Sequence, residues 1–134
     1  MTALKVGIAS YEQMKARTMA IARGEHKPSR GEPKVWFTSM DSFARVLSDR
    51  NRALLDLIAR AEPGSLAELA ALSGRATSNL SRTLKTMERY GLVRLDKGAG
   101  GKIVPRVPYT EVTLDVPIGA GRLRHDRAAP SFAN

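Results

Sequence analysis

The sequence predicts an α+β fold: a winged helix-turn-helix (three-helix core plus β-hairpin wing) with an extra N-terminal strand-helix and a C-terminal strand. Three features point to it. Residues 65–106 read as a short helix, a Gly-containing turn, a second helix and a basic hairpin with a glycine tip, which is the element order of a winged helix-turn-helix. Short alternating or β-branched runs flank that stretch at LKVGI, KVWF and YTEVTLDV. Charge gathers there as well. Residues 74–107 hold eight Lys or Arg against two acids, Glu88 and Asp96, so +6 of the net +9 falls in one quarter of the 134 residues.

The elements follow in order. Residues 4–8 alternate apolar with polar or small side chains and predict a strand. Ser10 opens an S-x-x-Q pattern with Gln13, a capping box in which each side chain satisfies a free backbone N–H. Residues 11–23 carry Met14, Thr18 and Ile21/Ala22 at helical spacing, and Gly24 stops that helix. Residues 25–33 are polar with two prolines and predict a linker; residues 34–37 predict a strand. Ser39 or Asp41 caps the next helix, with Phe43, Val46 and Leu47 as its apolar stripe. Ser48-Asp49 caps another, built on Ala53, Leu54, Leu57, Ile58 and Ala61 and ended by Glu62-Pro63-Gly64.

Ser65-x-x-Glu68 is a second capping box and opens a short helix on Leu66, Leu69, Ala70 and Leu72. Ser73-Gly74 turns the chain, residues 76–90 form the next helix, and Gly91 stops it. Residues 92–96 and 102–107 flank Lys97-Gly98-Ala99-Gly100-Gly101 as a hairpin, and residues 109–116 alternate as a closing strand with one buried face. The expected organisation is an N-terminal strand-helix arm and linker over 1–33 that dimerises, a winged helix-turn-helix domain with its closing strand over 34–117, and a disordered basic tail over 118–134.

Composition narrows the function. Aromatics make up 5 % of the chain and Trp36 is the only tryptophan, which suits a small helical core and not a base-stacking single-strand binder. The isoelectric point near 10.5 points to a polyanionic partner. No apolar run approaches the ~20 residues of a spanning helix, and the N-terminus lacks a signal-peptide core. Cysteine is absent, which excludes disulfides and thiolate metal sites. The expectation is a soluble cytoplasmic protein with double-stranded DNA and not a membrane as partner.

On a helical wheel Leu80, Leu84 and Met87 share one face, while Ser78, Arg82, Lys85 and Arg89 fall opposite, with Arg75 and Thr86 nearby. Arg82 and Lys85 carry donors for guanine O6/N7 or a phosphate. Ser78 and Asn79 sit near the helix start, where they read base edges or bond the backbone; Thr77 is a contact or a helix cap, and Ser81 completes the set on this helix. In the wing, Arg94, Lys97, Lys102 and Arg106 are placed for phosphates or the minor groove.

Catalysis is not expected. The glycines of the wing do not form G-x-x-x-x-G-K-[ST], and a strand follows them where a phosphate loop needs a helix. His26 in the linker and His125 in the tail read as solvated, with no arrangement suited to metal or triad chemistry. Glu62/Glu68 and Glu111/Asp115 are explained by capping and by exposed strand faces. No enzyme activity, cofactor, catalytic residue or metal ligand is expected.

Residues 74–95, GRATSNLSRTLKTMERYGLVRL, resemble the recognition helix and the start of the wing in MarR-like winged helix regulators. The layout is more similar to a narrower group, small prokaryotic regulators of antitoxin type: a leading strand (LKVGIAS), a helix ending in a short linker, a strand before the first core helix (KVWFTS), and a closing strand led by Pro-Tyr (VPYTEVTLDV). The resemblance spans residues 4–117. The long Gly-rich wing tip and the Arg-containing tail depart from it. It implies sequence-specific duplex binding as a homodimer, autorepression of transcription, and a cognate toxin protein as a further partner. Alternative readings are an interaction protein whose main task is neutralising that toxin, and a ligand-responsive repressor of the MarR kind. Dimerisation also has a physical motive, because the outer strands and first helix lie beyond the three-helix core and a two-fold would set two reading helices ~34 Å apart.

Overall fold

The computed structural model describes residues 2–118, so the tail expected from residue 118 lies, Ile118 apart, outside the described residues, and His125 with it. The fold is α+β. Strand β1 (Ala3–Ile8), helix α1 (Tyr11–Ala22) and strand β2 (Val35–Phe37) come first, followed by helices α2 (Met40–Val46), α3 (Asp49–Ala61), α4 (Leu66–Ser73) and α5 (Thr77–Arg89). A hairpin of β3 (Arg94–Lys97) and β4 (Ile103–Arg106) and a last strand, β5 (Glu111–Asp115), complete it.

Caps set the helix starts. Ser10 and Gln13 form the full box: the Gln13 N–H donates to Ser10 Oγ at 3.1 Å and the Ser10 N–H to Gln13 Oε1 at 2.8 Å. Ser39 and Ser48 each accept the N–H three residues on, which decides the first cap for Ser39 over Asp41. The second expected box is offset by one residue. Ser65 Oγ accepts from the Glu68 N–H, but the Glu68 carboxylate accepts from Gly64 and not from Ser65. An extended N-cap at Ser65 leaves the Gly64 N–H over the first turn, within reach of the same side chain. Helix α5 starts with no side-chain cap; Ala76 is its N-cap, and Thr77 is the first helical residue.

β1 is the middle strand of a three-stranded sheet ordered β2-β1-β5. Both pairings are parallel: Val6, Gly7 and Ile8 lie beside Val35, Trp36 and Phe37, and Ala3 to Gly7 lie beside Glu111 to Asp115. Parallel neighbours need a long crossover, which α1 supplies on one side and the whole helical body on the other. Leu4, Val6 and Phe37 point from the sheet into the same core as Leu54 and Ile58 of α3, Leu69 of α4, and Leu80, Leu84 and Met87 of α5. The residues expected to form a separate arm therefore belong to the body, and the boundary expected after residue 33 does not divide the core. Phe37 joins three elements at once, stacked on Tyr90 at 4.1 Å between ring centres and edge-on to Phe43 at 5.4 Å. The hairpin starts two residues later than expected because Leu92 and Val93 are buried in the core, each 3 % exposed.

The other face of β1 is covered by Trp36 and by the linker that follows α1. The Trp36 ring lies over Gly7, where an added Cβ would come within 2.5 Å of the indole and 3.0 Å of Pro33. The Arg17 guanidinium stands over the same indole at 5.3 Å and donates to Glu32 at 2.5 Å. His26 is not solvated as the sequence suggested: its Nε2 sits 2.9 Å from the other oxygen of Glu32, in a site where both side chains are nearly closed off from water. Burial raises the Glu32 carboxyl, but the hydrogen bonds and charges of Arg17 and His26 outweigh it and hold its pKa below the ordinary value of 4.5. Lys5 completes the lid by donating to the Gly31 carbonyl at 2.8 Å.

Gly7→Ala is expected to cost about 1–3 kcal/mol, since the indole and Pro33 must both give way. Urea denaturation should show a lower midpoint with an unchanged slope; an unaltered midpoint would mean that Trp36 moves aside freely. For Glu32, the folded pKa is the depressed one, so its contribution is complete above the unfolded value and is lost as pH falls through the folded value. Glu32→Gln should therefore lower thermal stability at neutral pH, with the difference from the parent protein closing in acid. A difference that stays constant across that range would show that the carboxylate charge contributes nothing.

Candidate functional site

Helix α5 divides as its residue pattern implies. Leu80, Leu84 and Met87 are buried, at most 1 % exposed, and Ser78, Arg82, Lys85 and Arg89 lie on the exposed side. Leu69 of α4 packs into the same core, and Gly74, at φ 74°, makes the left-handed turn between the two helices that a side chain with a Cβ would resist. Gly91, at φ 75°, releases the chain from α5 toward the hairpin in the same way.

The cations expected at this site fall into two groups. Arg82, Lys85, Lys97 and Lys102 are exposed, and no hydrogen bond or ion pair to another described residue engages their charged groups. Arg75, Arg94 and Arg106 are committed within the fold, and Arg89 makes one weak contact, 3.4 Å to Thr86 Oγ1. Arg94 Nε donates to both oxygens of Asp96 at 2.9 and 3.1 Å; that bond and the carboxylate charge raise its pKa further. Arg106 donates from one nitrogen to the carbonyls of Pro63 and Pro105 at 2.8 and 2.7 Å, which fastens β4 to the loop between α3 and α4. Arg106 is thus a strut of the hairpin, although the sequence placed it among the residues expected to contact DNA.

Arg75 is the most engaged of all. Its Nε donates to Asn79 Oδ1 at 2.9 Å, Nη1 to Asn51 Oδ1 at 3.3 Å, and Nη2 to Thr83 Oγ1 at 3.2 Å. Burial, and then the charge of Arg50, lowers its pKa. Asn51 is itself held, donating to the Val46 carbonyl at 3.0 Å while its N–H donates to the Ser48 cap. One guanidinium therefore ties the end of α2 and the start of α3 to the first two turns of α5. Sequence reasoning missed Asn51, Thr83 and Arg50. Asn51 is visible as a residue within a capping pattern, but its partner lies 24 residues away and no local spacing announces the bond. Of the hydroxyl and amide residues expected at the site, Thr77 and Ser78 are exposed, while Asn79 and Ser81 are half-buried.

The hairpin tip is a tight turn over Ala99–Gly101 that kinks at Gly100, closed by the Gly98 N–H donating to the Lys102 carbonyl at 2.7 Å. Gly100 and Gly101 adopt φ of 70° and 78° there. Lys97 and Lys102 flank this turn, so two exposed ammonium groups stand at the base of a narrow, side-chain-poor tip. A separate groove of about 1190 Å³ opens between α2, α3 and residues 106–112. Its lining includes Phe43, Leu55 and Val112, and no residue of α4 or α5. Among the described residues, no group of three or more His, Asp or Glu side chains is placed to hold a metal ion, and no helix is long and apolar enough to cross a membrane.

No curated protein and no solved structure matches this chain. A family model, HVO_A0114, matches residues 46–114. That stretch runs from the last residue of α2 through α3, α4, α5 and the hairpin into β5, and so takes in the exposed cations, the Arg75 network and more than half of the chain. On that match, the chain belongs to the HVO_A0114 family.

Proposed function

We propose that this protein is a winged helix-turn-helix regulator that binds double-stranded DNA sequence-specifically, with α4 and α5 as the helix-turn-helix and β3–β4 as the wing. One observation carries the reading: Arg82 and Lys85 stand exposed and unspent on the face of α5 opposite Leu80, Leu84 and Met87. A helix packed by one face and presenting cations on the other is the form that enters a major groove, where such donors meet guanine O6 and N7. Lys97 and Lys102, beside a tip narrowed by Gly98, Gly100 and Gly101, suit phosphate or minor-groove contact from the wing. The net charge of +9 adds long-range attraction to the duplex.

The regulator acts as a homodimer in this reading, repressing its own transcription in the manner of an antitoxin. Support for that step comes from the resemblance to small antitoxin-type regulators and from apolar surface left on α1, where Tyr11 is 73 % and Met19 43 % exposed. A cognate toxin is the further partner that the same resemblance implies.

Selection from random duplexes should enrich a palindrome with half-sites about one helical turn apart, and Arg82→Ala combined with Lys85→Ala should abolish that binding while leaving the unfolding transition in place. Retained binding by the folded double variant would reject α5 as the reading helix. Lys97→Ala and Lys102→Ala should weaken binding to all duplexes alike and reduce the salt slope by about one for each phosphate no longer neutralised. A changed base preference with an unchanged slope would instead assign the wing to base reading.

A further inference from the structure

We infer that Arg75 is a positioning residue that sets the angle of α5 and, by holding Oδ1 of Asn79, leaves the exposed face of that helix reading chiefly with hydrogen-bond donors. This inference rests on the duplex-binding reading above. The first part follows from geometry. All three guanidinium nitrogens of Arg75 are spent on α3 and α5: on Asn51, Asn79 and Thr83, at 2.9 to 3.3 Å. Asn51 is anchored to Ser48 and Val46, so the clasp refers α5 to the corner between α2 and α3, and that corner adjoins the core through Leu47 and Leu54. Helix α5 has no side-chain cap of its own at Ala76. Its first turns are held in place by Arg75 and not by the local bond that starts the other four helices.

The second part is chemical. A bidentate contact to adenine needs both halves of an asparagine amide, Oδ1 accepting from N6–H and Nδ2 donating to N7. In Asn79 one lone pair of the oxygen already accepts from Arg75 and the half-buried amide is held toward that guanidinium, which disfavours this pair. What remains outward on α5 is mainly Arg82, Lys85 and Arg89, which only donate, with the hydroxyls of Thr77 and Ser78 at the start of the helix and the Glu88 carboxylate near its end. A face whose long side chains are mostly cationic donors favours the paired acceptors of guanine, O6 and N7. The half-site should therefore be marked by guanines and not by an adenine read through Asn79.

The test compares the full chain with Arg75→Leu, Asn51→Ala and Asn79→Ala, each held well below its unfolding midpoint. Binding to the selected duplex is measured against a random duplex across a salt series. The parent protein should select guanines. Arg75→Leu and Asn51→Ala should each reduce the ratio of selected to random affinity about tenfold or more, with the salt slope unchanged. Asn79→Ala should keep the same base preference as the parent. Three results overturn the inference while sparing the duplex reading: a slope reduced by about one in Arg75→Leu, which would make Arg75 a phosphate ligand; selectivity retained in Asn51→Ala; or an adenine preference that disappears in Asn79→Ala. No enrichment of any duplex by the parent protein would reject the duplex reading itself, and this inference with it.

Discussion

Pairing of β1 along both of its edges underlies the whole arrangement. A strand of six residues at the start of the chain holds β2 on one side and β5 on the other, both parallel to it. Everything from α2 to the hairpin leaves the sheet at Phe37 and returns to it at Glu111, so the helical body is a closed excursion from a single strand. Side chains on alternate faces give that strand two tasks. Leu4 and Val6 enter the helical core, and Gly7 leaves room for the Trp36 ring on the opposite face. Without β1, β2 and β5 would have no partner, and the two ends of the excursion would be unconstrained relative to each other.

That closure bears on α5. The buried stripe of the helix fixes its depth and its rotation about its own axis, because Leu80, Leu84 and Met87 have one pocket to fill. A stripe of three side chains constrains tilt less well. Tilt falls to interactions at the two ends of the helix, Arg75 at the start and the Tyr90–Phe37 stack at the finish. The second of these leads straight back to β2, and through it to β1. The exposed cations of α5 and the hairpin are thus held on a frame whose reference is the central strand, and Arg106 adds a brace between the hairpin and the α3–α4 loop.

Residues of one charge type, close in sequence and expected to act together, turn out to do unlike things. Arg75, Arg94 and Arg106 carry the same guanidinium as Arg82, yet each meets an oxygen of its own protein. Arg94 remains exposed and meets Asp96, its neighbour two residues on. Burial sets Arg75 and Arg106 apart: a half-buried Arg must have its donors satisfied inside, whereas an exposed Arg or Lys is satisfied by water until a partner displaces it. His26 makes the same point in reverse. Its place in a polar, proline-containing linker suggests a solvated ring, but the linker folds back over Trp36 and encloses it with Glu32 and Arg17.

Local order was legible in the sequence because its causes are local. Ser caps, glycine stops, a helical stripe of Leu80, Leu84 and Met87, and period-2 alternation in residues 109–116 each act within a few residues, and the helices and strands lie close to where those signals put them. The exposed group Arg82, Lys85, Lys97 and Lys102 was legible for the same reason, since facing away from a local stripe or sitting at a turn is a local property. The elements, and the face of α5 that stays in solvent, were thus written into the residue pattern. Chain closure, and nothing short of it, made β1 central instead of part of a detachable arm and turned Arg75 and Arg106 inward. Those outcomes depend on partners such as Asn51, Pro63 and Glu111, brought near by folding over tens of residues, and no spacing within the sequence encodes which distant oxygen a long side chain will meet.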